Sequence, residues 1–360
     1  MPQTLSFGLL LAMLLLAGCQ PTTPASAIAQ NEPPTATAVA SPTLAQPMKP
    51  PVMFTVAPEP TATFTLPTVT PIPTITAVFS DTLPTPDPAT VAETATPQPT
   101  FTPPALPHTD PNEHYWLRRP IPEGGTVWTD KVYPYGSTRG GTLQTHHGVE
   151  FYVPSGTTVL AAASGTVRVG GSDDTFAQGP ETNFYGNVVV IELDSQLDGQ
   201  PVYNLYGHLS EIYVSEGQHV DAEQVIALSG ASGVAEGPHL HLEVRVGQNS
   251  YATTRNPSLW LYPFPEHGTV AGVVRWPDGS PVREALVTLN RIDAPASYAG
   301  TTTYADESVN GDDGWQENFV IDDVVAGYYV VTVHNGEKKQ KTELWVYPFR
   351  TSFVEITLDE

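Results

Sequence analysis

The sequence predicts an all-β fold in two consecutive parts, preceded by a long segment without regular structure. Short apolar runs recur between glycine-rich turns from about residue 112 onward, and none has the length or period of an amphipathic helix. Thr, Pro and Ala dominate residues 20–111, a composition that supports neither strands nor helices. An apolar run near the start has the length of a signal-peptide core.

The charge balance excludes several classes of partner. The 360-residue chain carries 38 acidic against 15 basic residues, a formal net charge of −23. Nucleic acid is not an expected partner because phosphate binding requires a Lys/Arg surface, and a polybasic membrane-surface protein is excluded for the same reason. The single Cys excludes an intramolecular disulfide and a Cys-based zinc module. Composition leaves the oligomeric state open.

The first segment predicts export and lipid attachment. Residues 9–17 read LLLAMLLLA, which is too short to span a bilayer as a mature helix. The run continues into the tetrapeptide LAGC, which ends at Cys19 and resembles the lipobox of bacterial lipoproteins. This resemblance implies a signal peptide over residues 1–18 and a lipid anchor on Cys19. It places the protein in the cell envelope, on the outer side of a bacterial membrane. The alternative is an ordinary secretory signal with an incidental Cys.

Residues 19–111 are predicted to form a disordered stalk. Their Thr/Pro-rich sequence carries no hydrophobic period, and as a flexible coil it reaches roughly 50 Å. A stalk behind a lipid anchor indicates that the folded parts work at a distance from the membrane.

Residues 112–267 are predicted to form a β domain of many short strands. The run Val188–Ile191 is continuously apolar, which predicts a strand buried on both faces. The expected strands are Val149–Val153, Thr157–Ala161, Gly165–Val169, Asn187–Leu193, Val202–Leu209, Val225–Leu228 and Leu240–Val246.

Three short motifs place imidazoles and a carboxylate on the faces of these strands. Residues i and i+2 of a strand share a face, so His239 and His241 are expected to point the same way. His146 and Glu150 are an even four residues apart, and the Gly between them disfavours a helix. His208 lies in a third motif, YGHL. Nitrogen and oxygen ligands of this kind suit zinc, and a catalytic zinc takes three protein ligands and keeps an open position.

The remaining histidines near this domain are interpreted as bystanders. His147 alternates away from the His146 face, His219 sits in a polar turn, and His267 follows the domain.

In this order the motifs resemble those of the lysostaphin/LytM-type peptidoglycan zinc metalloendopeptidases, whose pattern is H-x-x-x-D, an internal His, and H-x-H. The resemblance covers about residues 132–262. It implies a compact, mostly antiparallel β domain that hydrolyses peptide bonds in peptidoglycan stem peptides or cross-bridges. By position it assigns His146, Glu150 and His241 to the zinc, and His208 and His239 to catalysis beside the open position.

Glu150 stands where the family has Asp, and this departure leaves an alternative open. The protein would then be a catalytically weak or inactive envelope lipoprotein that binds peptidoglycan or activates a hydrolase. A purely structural surface lipoprotein is a third possibility, but it leaves the histidine motifs unexplained. The presence of all five site residues in a metal-competent form favours the enzyme.

Residues 268–360 are predicted to form an immunoglobulin-like β-sandwich, because about seven alternating strands fit that size. The pattern V-x-G-x-V, D-G-x-P-V, A-x-V-x-L resembles carboxypeptidase-regulatory-like (transthyretin-like) modules. Acidic pairs at 306–307, 312–313 and 322–323 are interpreted as solvated loops rather than calcium sites, since no EF-hand spacing is present.

Overall fold

The computed structural model describes residues 104–105, 110–294 and 298–359, and all of them belong to one compact unit. The predicted signal peptide, Cys19 and almost all of the predicted stalk lie outside the described residues, so those assignments stay predictions. Within the described ranges, no helix has the length and hydrophobicity needed to span a membrane.

The first lobe, residues 110–266, is built from short strands with two one-turn 3₁₀ helices near its end, Tyr251–Thr253 and Pro257–Leu259. Its described strands are β1 (Val149–Phe151), β2 (Thr158–Leu160), β3 (Gly165–Ser172), β4 (Asn187–Leu197), β5 (Gln200–Leu209), β6 (Glu211–Ile212), β7 (His219–Val220), β8 (Val225–Leu228), β9 (Leu240–Val246) and β10 (Thr254–Arg255). All seven strands expected from the sequence are present, and the short β6, β7 and β10 were not predicted.

One large antiparallel sheet carries the first lobe. Its strand order is β1-β9-β5-β4-β3-β7, with β10 also paired to β9, while β2, β8 and β6 form a smaller sheet. The run Val188–Ile191 lies in β4 and is fully buried. Val189 and Ile191 join the main hydrophobic core, and Val188 and Val190 join a second cluster on the other face. The prediction of a strand buried on both faces is therefore confirmed.

The second lobe, residues 267–359, consists of two further sheets. Their strand orders are β14-β11-β17 and β13-β12-β15-β16, and only the β11–β17 pair is parallel among the described strands. The chain is thus all-β, as predicted, whereas the transthyretin-like resemblance and the domain boundaries stay predictions. The strands are β11 (His267–Arg275), β12 (Leu286–Arg291), β13 (Tyr298–Thr302), β14 (Phe319–Val325), β15 (Gly327–His334), β16 (Lys339–Val346) and β17 (Thr351–Thr357).

The two lobes share buried surface. Ala271 and Val320 of the second lobe belong to the hydrophobic core of the first, and Trp315 and Phe353 pack against it. The apolar contact is therefore continuous from one lobe into the other.

Acidic side chains of the second lobe pair with His, Arg and Lys side chains of the first. Asp312, Asp322 and Asp323 have side chains no more than 9% exposed, so interpreting these three as solvated is wrong. The other three acidic residues of the predicted pairs, at 306, 307 and 313, are exposed as expected. Burying a carboxylate is costly unless it is paired, and each of the three buried ones has a partner roughly 190–200 positions earlier in the chain. The pairs are Asp312–His114, Asp322–Lys131 and Asp323–Arg119.

Candidate metal centre

Strand pairing brings the two ends of the predicted ligand set together. Glu150 in β1 lies directly opposite His241 in β9, and Gly207 in β5 is the partner of His241 on its other side. His146 lies three residues before β1 begins, and its backbone N–H donates to Ser137 O at 3.0 Å. The expected common face is therefore produced by sheet register, across two strands that are about 90 residues apart in sequence.

Three ligand atoms form a small triangle. His146 Nε2 lies 2.9 Å from Glu150 Oε1, and His241 Nδ1 lies 3.1 Å from the same oxygen. The two imidazole nitrogens are 3.3 Å apart. Tetrahedral zinc with bonds of about 2.0–2.2 Å separates its ligand atoms by about 3.3–3.5 Å, so small side-chain movements would seat the ion. All three side chains are buried, and the donor set is the one zinc prefers.

A backbone carbonyl outside the triangle fixes the tautomer of His146. Its Nδ1 lies 2.7 Å from Tyr133 O, and a carbonyl only accepts, so Nδ1 carries the proton. The Tyr133 ring stacks on the imidazole at a centroid distance of 4.1 Å and an angle of 8°. The lone pair of Nε2 therefore faces Glu150 and His241, as a metal ligand requires.

His241 is oriented by a buried network that sequence reasoning missed. Its Nε2 lies 3.2 Å from Glu243 Oε1, which leaves Nδ1 for the triangle. Glu243 Oε2 in turn accepts from Arg245 at 2.6 Å, and Glu243 Oε1 accepts from Tyr185 OH. A carboxylate behind a ligand histidine fixes its tautomer and raises its basicity. The signal was available, because Glu243 follows His241 by two residues on the same face of β9.

A β-bulge places His208 beside the triangle. The register between β4 and β5 shifts so that Val188 opposes both Gly207 and His208, and His208 adopts a φ of 60°. His208 Nδ1 lies 2.8 Å from Ser232 O, and His239 Nδ1 lies 2.8 Å from Gly237 O. Both rings therefore hold their proton on Nδ1 and present Nε2 to the site. Their centroids are 4.7 Å apart.

The electrostatics of the site favour a bound positive charge. Burial raises the pKa of Glu150, but the charge of His241 and the close contact with the neighbouring imidazoles outweigh burial and hold the pKa well below its ordinary value. Burial lowers the pKa of His241, yet Glu150 and Glu243 raise it to about 9. Burial and the nearby imidazoles lower the pKa of His208 to about 4. Glu150 is therefore an anion, and His208 is neutral at neutral pH.

These groups line one side of an open cleft with a volume of about 570 Å³. Its walls include the aromatic rings of Tyr133, Tyr152, Phe184 and Tyr251. Tyr152 is 48% exposed, so part of this aromatic surface is free to meet a ligand.

The three bystander histidines lie as follows. His147 is buried in the cleft wall, with Nδ1 2.9 Å from Thr254 Oγ1, and burial lowers its pKa to about 4. His219 is exposed and pairs with Asp194 at 3.0 Å. His267 begins β11. None of the three belongs to the ligand triangle.

Part of this chain matches a known protein family. Residues 144–253 match the model of Peptidase family M23, which confirms the predicted resemblance over that segment. The chain is 32% identical over 143 residues to the DD-carboxypeptidase/endopeptidase Mpg of Neisseria meningitidis, covering 39% of this chain and 29% of that protein. It is 39% identical over 107 residues to the peptidoglycan DD-endopeptidase ShyB of Vibrio cholerae, covering 29% and 22%.

Each of these relatives matches only part of this chain. This chain spans less than a third of the length of either relative. The catalytic domain of the antimicrobial peptidase lysostaphin from Staphylococcus simulans aligns with a TM-score of 0.29 and 31% identity, over 36% of this chain and 86% of that one.

Proposed function

We propose that the chain, through its M23 peptidase domain, is a zinc-dependent endopeptidase that hydrolyses peptide bonds in peptidoglycan stem peptides or cross-bridges. The triangle formed by His146 Nε2, Glu150 Oε1 and His241 Nδ1 carries the proposal. The choice of substrate is supported by the relatives, of which ShyB is named a peptidoglycan DD-endopeptidase and Mpg a DD-carboxypeptidase/endopeptidase.

The residues of the triangle fit the metal and would hold it. A bound zinc ion would lower the pKa of a water molecule toward neutrality and polarise the scissile carbonyl. Glu150 supplies the anionic ligand, and Glu243 keeps His241 in the tautomer that offers Nδ1. Glu150 Oε2 is also buried and lies 3.0 Å from His239 Nε2, so the second carboxylate oxygen faces one of the two rings assigned to proton transfer.

His208 and His239 handle protons. Each holds its Nδ1 proton on a backbone carbonyl and presents Nε2 to the same volume. The lowered pKa of His208 keeps that ring neutral, so its Nε2 has a free lone pair for the proton of the attacking water. His239 would then steady the oxyanion or protonate the leaving amine.

The site of action follows from the sequence. A lipid on Cys19 would anchor the chain to the outer side of a bacterial membrane, and the Thr/Pro-rich stalk would let the cleft reach the wall. Labelling with a radioactive fatty acid tests the anchor, with Cys19→Ala as the unlabelled control.

The decisive experiment uses the mature chain with its second lobe intact. We expect about one bound zinc by metal analysis and release of soluble peptide fragments from purified peptidoglycan, read by mass spectrometry. Chelation should abolish the release and zinc should restore it. Hydrolysis that continues after complete metal removal would contradict the mechanism.

Alanine variants separate ligands from proton carriers. His208→Ala and His239→Ala should keep zinc and lose about 10²–10⁴ in turnover, whereas His241→Ala should lose both. His219→Ala is the matched control, because that ring is about half exposed and outside the cleft. The assignment fails if His239→Ala empties the site while His241→Ala does not.

A further inference from the structure

A loop of the second lobe, residues 303–310, lies against the segment that carries His146. Ala305 N–H donates to Gly136 O at 2.8 Å, and Gly136 N–H donates to His146 O at 2.8 Å. Two consecutive backbone hydrogen bonds therefore lead from the second lobe to the first residue of the ligand triangle.

The same loop forms a small apolar cluster under this segment. Tyr135 is 2% exposed and packs edge-on against Tyr304, with centroids 5.3 Å apart, and Val309 completes the cluster. The Tyr135 hydroxyl accepts from Asn310 N–H at 3.1 Å and lies 3.0 Å from Thr254 O. The irregular segment that precedes His146 is thus held by side chains of the other lobe.

The loop also contacts the two residues that flank His146 in the sequence. His147 Nε2 lies 3.3 Å from Ser308 Oγ, and Thr145 donates to the Asp306 carboxylate. Asn310 Nδ2 donates to the carbonyls of Ala252 and Thr254, each at 3.0 Å, and Thr254 Oγ1 lies 2.9 Å from the other nitrogen of His147. Both sequence neighbours of His146 are therefore in contact with the second lobe.

We propose that the 303–310 loop positions His146 for metal binding, so that the second lobe is part of the catalytic apparatus rather than an independent accessory. Asp306, Ser308 and Asn310 are positioning residues, because none lies in the ligand triangle. Asp306 and Ser308 contact Thr145 and His147 directly, and the Asn310 side chain acts through Thr254, which contacts His147. The proposal rests on the proposed function only in naming zinc as the ligand. The pre-ordering of the segment is a property of the fold itself.

The matched pair of variants is Asn310→Ala and Glu307→Gln. Asn310 makes two side-chain hydrogen bonds to the first lobe, whereas the Glu307 side chain is 89% exposed and pairs with Arg283 of its own lobe. Three quantities are measured on the whole mature chain: the melting temperature without metal, zinc affinity by competition with a chelator, and hydrogen–deuterium exchange of residues 133–147.

For Asn310→Ala we expect zinc affinity to fall by up to about 10-fold, the low end of the effect of removing a direct partner of a ligand, because Asn310 acts through Thr254 and His147. Exchange should quicken in residues 133–147 and not in β4 and β5, and the loss in turnover should exceed any change in KM. Glu307→Gln should match the wild type within about twofold. Equal zinc affinity and equal exchange in the two variants would overturn the proposal.

The test separates this proposal from the proposed function. If the wild type binds no zinc, the proposed function has failed, and exchange alone decides the positioning. Faster exchange confined to residues 133–147 then supports it, and unchanged exchange overturns it. A melting temperature that falls with uniformly faster exchange would reveal a merely structural role and would also overturn it.

Discussion

Shortening Glu150 by one methylene tests whether the natural side chain is a working ligand. Glu150→Asp withdraws the carboxylate by about 1.5 Å, one carbon–carbon bond. The backbone cannot follow easily, because Glu150 is paired with His241 across β1 and β9 and its carbonyl accepts from Asp130 N–H at 2.8 Å. Zinc ligand distances tolerate only about ±0.2 Å. The aspartate should therefore bind the metal poorly in this setting, although it restores the family's residue type.

The magnitude follows from that displacement. Loss of a group behind a ligand costs about 10–100-fold in metal affinity, so displacement of the ligand itself should cost at least as much. A misplacement of about 1 Å in a catalytic site costs about 10²-fold in turnover. The assays are chelator competition for zinc and mass spectrometry of released wall peptides. Glu192→Asp, the same shortening at a partly exposed position of β4, is the control.

The opposite result would refute the reasoning. If the wild type is almost inactive and Glu150→Asp raises hydrolysis to a robust rate, the glutamate marks a degenerate site. The chain would then be the binding or activating lipoprotein left open by its sequence.

Two further predictions concern the contact between the lobes. Gly136 has a φ of +77°, and an added Cβ would lie 2.3 Å from Tyr304 Cδ1, so Gly136→Ala should lower the free energy of unfolding by about 1–3 kcal/mol in denaturant titrations. Gly141→Ala is the control, because Gly141 has a φ of +78° and an added Cβ there meets no atom within 4 Å. It measures the cost of the backbone conformation alone, and an equal loss of unfolding free energy in the two variants would contradict the steric argument. Burial, with the charge of Asp312, raises the pKa of Glu317 to about 8, so its contribution to stability is complete below about pH 4.5 and is lost as pH rises through 8. The melting temperature of the wild type should therefore fall relative to Glu317→Gln between pH 5 and 8.5, and parallel curves would disprove the assignment.

The site was readable from sequence where its geometry depends on strand periodicity. The side-by-side placement of His239 and His241 follows from their spacing of two, and the buried β4 follows from its continuous apolar run. The position of His208 could not be derived in this way, because it depends on a bulge that adds one residue opposite Val188.

The pairing between lobes was not readable either. Asp322 and Lys131 are 191 positions apart and carry no local pattern that links them. In the sequence an acidic pair such as Asp322 and Asp323 resembles a solvated loop, but the structure places both in β14, with partners in the first lobe. Composition reports the number of charges, whereas only tertiary structure determines which of them become buried.

The shared core has a consequence for linkage. Because Ala271 and Val320 complete the hydrophobic core of the first lobe, opening either lobe exposes apolar surface of the other. Their unfolding equilibria are then coupled. A ligand held only by residues of the first lobe would therefore stabilise the folded state of both lobes by RT ln(1 + [L]/Kd). Occupancy of the cleft would therefore slow proteolysis within β11–β17, strands that never touch the ligand.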